Sequence, residues 1–259
     1  MTSTAVAPIA PGTFVPAPGA VPVARTVIRL SWLEFKLFAR NGEQIVVNLI
    51  IPVTALLALI LLPVGDLGAD RPAVVVPAVM AAAIISSAFT GQSIAIAFDR
   101  KYGAMKRVGA TCAPRWAIVV SKSVAVSGVI AAQLTILGAI GLLVGWSPAA
   151  TEIFNMAVIA AAGASCFSAL GLLLGGALRA ELVLPLANVL WLIQLGMVVN
   201  GTYTPTASPA DVLVDFSPAG ALTSGMTSTS IASQEHALLV LAIWTIAAGC
   251  LAKRWFRFT

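Results

Sequence analysis

Six apolar stretches follow one another along this chain, and no Asp, Glu, Arg or His lies in the interior of any of them. They run roughly Ile45–Val64, Pro72–Phe98, Trp116–Gly145, Ile153–Leu178, Leu182–Asn200 and Glu235–Ala252. A helix needs about 20 apolar residues to cross the hydrocarbon of a bilayer. The last window is short alone and borrows from Ser230–Gln234. The chain is 10% charged, against roughly 25% for a soluble domain. With 59% hydrophobic residues and a mean hydropathy of +0.98, it reads as an all-α membrane protein with six transmembrane helices. Pro52, Pro77 and Pro185 fall inside windows and should kink them.

Orientation follows from the cations. Arg25, Arg29, Lys36 and Arg40 precede the first window, and Arg100, Lys101, Lys106, Arg107, Arg115 and Lys122 lie between or at the edges of the second and third. Arg179 follows the fourth, and Lys253, Arg254 and Arg257 follow the sixth. Only Arg71 falls on the other side. Loops rich in Lys and Arg stay in the cytoplasm, so both termini are expected there, in a multi-pass protein of the cell membrane. The net charge of +5 is explained by topology, and no nucleic-acid partner is expected.

Two segments outside the windows are informative. Residues 1–23 have no basic start and no compact apolar run, which argues against a cleavable signal and predicts a disordered cytoplasmic tail ahead of one six-span domain over 24–259. In 24–43, Arg25, Arg29, Lys36 and Arg40 share an arc of about 60° on a helical wheel, opposite Val27, Ser31, Phe35 and Phe38. That pattern predicts an amphipathic helix at the membrane surface. Glu34 projects from its apolar side and either meets a partner on another helix or chain or snorkels to water. On the outer side, Gly201–Gln234 holds Pro205, Pro209 and Pro218 and the mildly apolar run Ala219–Met226. A short re-entrant helix between the fifth and sixth spans is expected there.

The composition also excludes functions. Pumps and proton-coupled transporters keep ionisable groups within the membrane. Lys122 comes closest, about two turns inside the third window, and can snorkel. There is no HExxH pair, no GxSxG elbow and no GxxxxGK[ST] phosphate loop. Cys112, Cys166 and Cys250 form no disulfide or zinc pattern, and His236 sits at a window edge. If the protein drives uphill transport, another chain must hydrolyse the nucleotide. Asn48, Gln92, Gln133, Asn188, Gln194 and Asn200 are the polar candidates for a substrate path, with hydrogen bonding between helices as the alternative. Gly138, Gly141, Gly171, Gly175 and Gly176 point to close helix packing.

The most specific segment is the inner loop from Phe98 to Trp116. Tyr102–Val108 reads as a short amphipathic helix with Lys106 and Arg107 exposed, before a turn over Thr111–Arg115. In this loop Asp99, Arg100, Gly103, Lys106, Arg107, Val108 and Thr111 resemble in register the segment after the second span of ABC type-2 permeases. Lys101 stands where a second acid is usual, Ala104 where Thr is, and Cys112 where Pro is common. Arg40-Asn41 and Pro52, the Asn200–Pro205 turn, Ser217-Pro218-Ala219 and the ending Lys253–Arg257 are similar to other parts of that family.

The resemblance implies a permease subunit of an ATP-driven exporter, with no catalytic residue, no metal site and no cofactor of its own. Two permeases, identical or homologous, would associate in the lipid bilayer, and two ATPase subunits would carry the ATP and Mg. Asp99, Arg100, Tyr102, Gly103, Met105, Lys106 and Arg107 would couple to the ATPase, with Glu34 on the supporting helix. The alternatives are a passive channel or a scaffold without an ATPase, and, third, a membrane-embedded transferase.

Overall fold

A computed structural model describes residues 22–62, 70–109, 114–203 and 209–255. Almost all of residues 1–23, together with Thr111, Cys112, Pro205, Phe256 and Arg257, lie outside the described residues. Among those described there are helices and no strands. In chain order they are α1 (Val23–Ala39), α2 (42–61), α3 (Arg71–Lys101), α4 (Ala104–Gly109), α5 (Arg115–Leu143), α6 (Ala150–Ala177), α7 (Ala180–Tyr203), α8 (Pro209–Asp215), α9 (Pro218–Thr227) and α10 (Ile231–Trp255). Five of them, α3, α5, α6, α7 and α10, contain stretches long and apolar enough to cross a membrane. The first window gives a shorter apolar helix, Asn48–Leu61. Its apolar character starts only after Glu43 and Gln44, and Val64 lies outside the described residues.

Helix α3 is the centre of the fold. Ten of its first fifteen residues are buried, and α2, α5, α6, α7 and α9 all pack on it. Asp70 starts it by accepting a hydrogen bond from the Ala73 N–H at 3.3 Å, with Pro72 in the first turn, where a missing N–H does no harm. Halfway along, Ser86–Gly91 widens into a π-helical turn. The carbonyls of this turn, and of Ser93 just beyond it, press against α6. A Cβ on Gly171 would stand 2.8 Å from the Ala88 oxygen, and one on Gly175 would stand 2.4 Å from the Ser93 oxygen. Both distances are shorter than real Cβ contacts allow, so the four-residue glycine spacing on α6 is what admits α3.

Helix α2 carries a second π turn, Val46–Ile50, immediately ahead of Pro52. The proline explains it. Pro52 has no N–H to give the carbonyl four residues back, and its ring crowds that carbonyl. The carbonyl belongs to Asn48, and the Gln133 Nε2 of α5 donates to it instead. Ser87, from the π turn of α3, completes the cluster. Its hydroxyl lies 2.7 Å from Asn48 Oδ1 and 2.9 Å from Gln133 Oε1, and its single proton serves one of them at a time. Three helices are thus joined where two of them are locally unwound.

On the other side of α3, helix α9 is wedged among α3, α6, α7 and α10. Ser217 caps it by accepting from the Gly220 N–H at 3.0 Å. Ala219, Ala221, Leu222 and Thr223 are fully buried, and Leu222 fills the space that a Cβ on Gly163 would need. Asn155 of α6 donates to Gln234 Oε1 of α10 at 3.0 Å, and Trp244 Nε1 donates to the Phe216 carbonyl at 3.0 Å.

The α3–α6 contact sets a stability test. Gly171→Ala and Gly175→Ala are expected to destabilise the purified protein by about 1–3 kcal/mol each, as overpacking does. Gly249→Ala, whose Cβ meets nothing within 4 Å, should be neutral. Thermal unfolding in detergent reads the difference, and equal behaviour of all three would contradict the packing described.

Candidate coupling site

The last residues of α3 point in three directions. Successive residues of an α-helix are rotated by about 100°, so Asp99, Arg100 and Lys101 face three different neighbours. Asp99 Oδ2 lies 2.7 Å from Lys122 Nζ of α5. Arg100 Nη1 donates to the carbonyls of Gly175 at 2.7 Å and Leu178 at 2.9 Å, at the end of α6. Lys101 Nζ lies 2.8 Å from Glu181 Oε1, in the first turn of α7. One turn of helix therefore grips three others.

Each grip has a physical cause. The last four carbonyls of a helix lack intrahelical donors and carry its negative partial charge, and the Arg100 guanidinium satisfies both needs at the end of α6. Arg71 does the same at the far end of the fold, donating to the Leu62 carbonyl at 2.7 Å. That accounts for the one cation the sequence puts on the wrong side. The Lys101–Glu181 pair is exposed, at 42% and 62%, and contributes little energy.

Lys122 is different. Its side chain is only 12% exposed, and it also binds Glu34 Oε1 of α1 at 2.6 Å. The carboxylate on the apolar side of α1 and the ammonium inside the third window answer each other, and Asp99 joins them. Helix α1 lies along α5, with Ser31 buried and the Phe35 ring 3.7 Å from where a Cβ on Gly128 would be. Ile28, Trp32, Leu33 and Leu37 stay exposed on its other faces.

Beyond Lys101 the chain breaks and restarts. The spacing predicts a helix from Tyr102, but Tyr102 and Gly103 form a turn and the helix begins at Ala104. Gly103 has φ +72°, a left-handed conformation that glycine adopts without strain. Met105 is buried, while Tyr102 and Arg107 are exposed. Tyr102 stacks on Phe98 at 5.9 Å, and Lys101 lies over both rings. Lys106 falls on the same short helix. The site therefore joins the short helix α4, which carries the exposed Arg107, to a turn of α3 that holds α1, α5, α6 and α7.

The polar candidates separate. Asn48 and Gln133 are buried in the cluster with Ser87. Gln92 is also buried and donates to Ser123 Oγ at 3.3 Å. Asn188 is exposed, donates to the Leu184 carbonyl of its own helix at 2.8 Å, and lines an apolar groove of about 500 Å³ between α2, α3 and α7. Asn200 donates to Asp211 Oδ1 at 3.4 Å. The Gln194 Oε1 is buried and has no donor among the described residues. The sequence reading missed Lys122 and Glu181 as members of the site. The signal for Lys122 was present: two misplaced charges of opposite sign, Glu34 and Lys122, on helices that both border the inner loop.

The Lys122 cluster makes a direct test. Lys122→Met leaves two carboxylates facing each other and is expected to destabilise the protein by about 1–3 kcal/mol. That is less than for a sealed pair, because both carboxylates are a third exposed and solvent screens them. Adding Glu34→Gln and Asp99→Asn should recover most of the loss. Denaturation midpoints of the single and triple variants check this, and a triple variant weaker than the single would contradict it.

No curated protein and no solved structure matches the chain. A family model described as ABC-2 type transporter matches residues 25–229, well over half of the chain and from α1 through α9. With its long apolar helices, this is a multi-pass membrane protein, and it belongs to the ABC-2 type transporter family.

Proposed function

We infer that this chain is the permease subunit of an ATP-driven exporter and that α4 is its contact with a separate ATPase. The observation that carries the reading is the join between α4 and the α3 turn at Asp99–Lys101, which holds the ends of α5, α6 and α7 together with α1. A push on α4 arrives at four helices at once. The ATPase, in two copies, binds ATP and Mg and closes, and the permease alternates its access in response. This chain performs no hydrolysis.

In this reading six spans cross the plasma membrane, with α2 as the first and both termini in the cytoplasm. Helix α1 lies at the inner surface, its cations towards lipid phosphates and its exposed Trp32 and Leu33 in the interface. The six-span domain runs over 24–259. Helix α9 is re-entrant from outside: Gly163, which Leu222 covers, is about 20 Å along α6 from its start.

The groove between α2, α3 and α7 faces a second permease, identical or homologous, and the two form the path between them. Asn188 then faces the path, whereas Asn48 and Gln133 hold helices together. A passive channel or scaffold would share the helices but would not need a joint of this kind.

Two measurements test this. Extraction of the chain from native membranes in mild detergent should bring with it an ATPase bearing a GxxxxGK[ST] loop, in stoichiometric amount. Recovery of the chain alone across several detergents would favour a channel or scaffold. Lys106→Glu with Arg107→Glu should abolish transport while membrane insertion is unchanged, and normal transport by that variant would remove α4 from the coupling role.

A further inference from the structure

Helix α1 presents faces of different character. On the side packed along α5, Ser31 is buried, and Val27, Glu34, Phe35 and Phe38 are half-buried. The opposite arc carries Arg25, Arg29, Lys36 and Arg40, all exposed. Among the described residues none of these four makes a salt bridge. The acid of the helix, Glu34, lies on the other side and is held by Lys122 at 2.6 Å.

This stripe is unfavourable by itself. Arg25 and Arg29 are four residues apart, as are Lys36 and Arg40, and like charges at that spacing on a helix repel. Arg25 also stands in the first turn, at the positive end of the helix dipole, and that turn holds no acid. An anion on the stripe relieves both strains.

The borders of the stripe say what kind of anion fits. At about 100° per residue, Ile28 and Trp32 flank it on one side, and Leu33 and Leu37 on the other. All four are more than half exposed, and Lys36 Nζ lies 5.5 Å from the Trp32 ring centre. A soluble acidic molecule would answer the charges and leave both apolar borders in water. A phospholipid leaflet offers phosphate beside acyl chain, and the long Arg and Lys stems let apolar neighbours sit deeper than the charged heads. A zwitterionic headgroup carries its own cation next to its phosphate and brings no net attraction. A headgroup of net negative charge does, and each further Lys or Arg near the surface adds to it.

We propose that the outer face of α1 is a binding surface for anionic phospholipid of the surrounding leaflet, selected by the net charge of its headgroup. The proposal rests on the reading that α1 lies at the inner membrane surface and not on the ATPase partner.

The test uses the full-length permease in mild detergent with equal amounts of phosphatidylglycerol and phosphatidylethanolamine of the same acyl chains. Native mass spectrometry reads the lipid that stays bound. Phosphatidylglycerol should be retained several-fold over phosphatidylethanolamine. Arg25→Gln, Arg29→Gln, Lys36→Gln and Arg40→Gln together should abolish that excess. Lys253→Gln with Arg254→Gln, at exposed cations ending α10, should leave it unchanged. If the fourfold variant does not fold, Arg29→Gln with Lys36→Gln decides and should lower the excess. Equal retention of the two lipids would overturn the proposal. So would an excess that the α1 variants keep, or one that the Lys253 and Arg254 pair lowers as far.

Quenching of Trp32 by brominated phospholipid, read as the difference from Trp32→Phe, checks the position of α1 separately. Quenching with equal retention would overturn lipid selection and leave α1 at the membrane surface. Absence of quenching would overturn the surface reading, and the proposal with it.

Discussion

A backbone carbonyl at membrane depth must find its donor inside the protein, and much of this structure follows from carbonyls whose ordinary donor is missing. Pro52 deprives the Asn48 carbonyl, and Gln133 replaces the lost N–H. The end of α2 leaves carbonyls open, and Arg71 reaches Leu62. The end of α6 does the same, and Arg100 reaches Gly175 and Leu178. In each case the donor comes from a different helix, so satisfying the backbone also fixes how helices pack. Apolar side chains alone cannot do this in lipid, where burial against a neighbour is little better than burial against acyl chains.

The same logic gives the inner end of α3 its importance. An α-helix rotates about 100° per residue, so three consecutive polar residues cannot serve one neighbour. Asp99, Arg100 and Lys101 instead reach α5, α6 and α7, and Lys122 extends the contact to α1. Just beyond, the left-handed Gly103 separates α4 from α3 without adding length. A force on α4 has a short lever arm and few soft torsions before it meets four helices. That is the physical content of a coupling role, whatever passes through the membrane.

Much of the fold was legible in the sequence because membrane helices declare themselves by length and hydropathy. The start of α10 at Ile231 and the helix at Pro218–Thr227 lie where the apolar runs put them. The glycines of α6 sit against α3 as their spacing implies. Pairing was not legible. The partner of Glu34 lies 88 residues away, and a one-dimensional pattern shows an odd charge without showing its answer. The π turns were equally hidden: Pro52 announces a defect in α2, but no residue announces the one in α3. Arg100 read as an inner-loop cation facing a partner chain, because its type and loop position are those of one. Its acceptors are carbonyls, which every sequence has.

The most direct measurement of the α3 joint is a pair of spin-label distances in the assembled transporter, nucleotide-free and nucleotide-bound. Labels at Tyr102 and Leu182, both exposed, report within one permease across the α3–α7 contact. In the proposed assembly of two permeases, single labels at Tyr102 report between them. The expected result is an unchanged Tyr102–Leu182 distance while the Tyr102–Tyr102 distance shifts, since the joined helix ends move as one body. A Tyr102–Leu182 distance that changes with nucleotide while the distance between permeases stays fixed would contradict it, and the turn at Asp99–Lys101 would then be a hinge and not a joint.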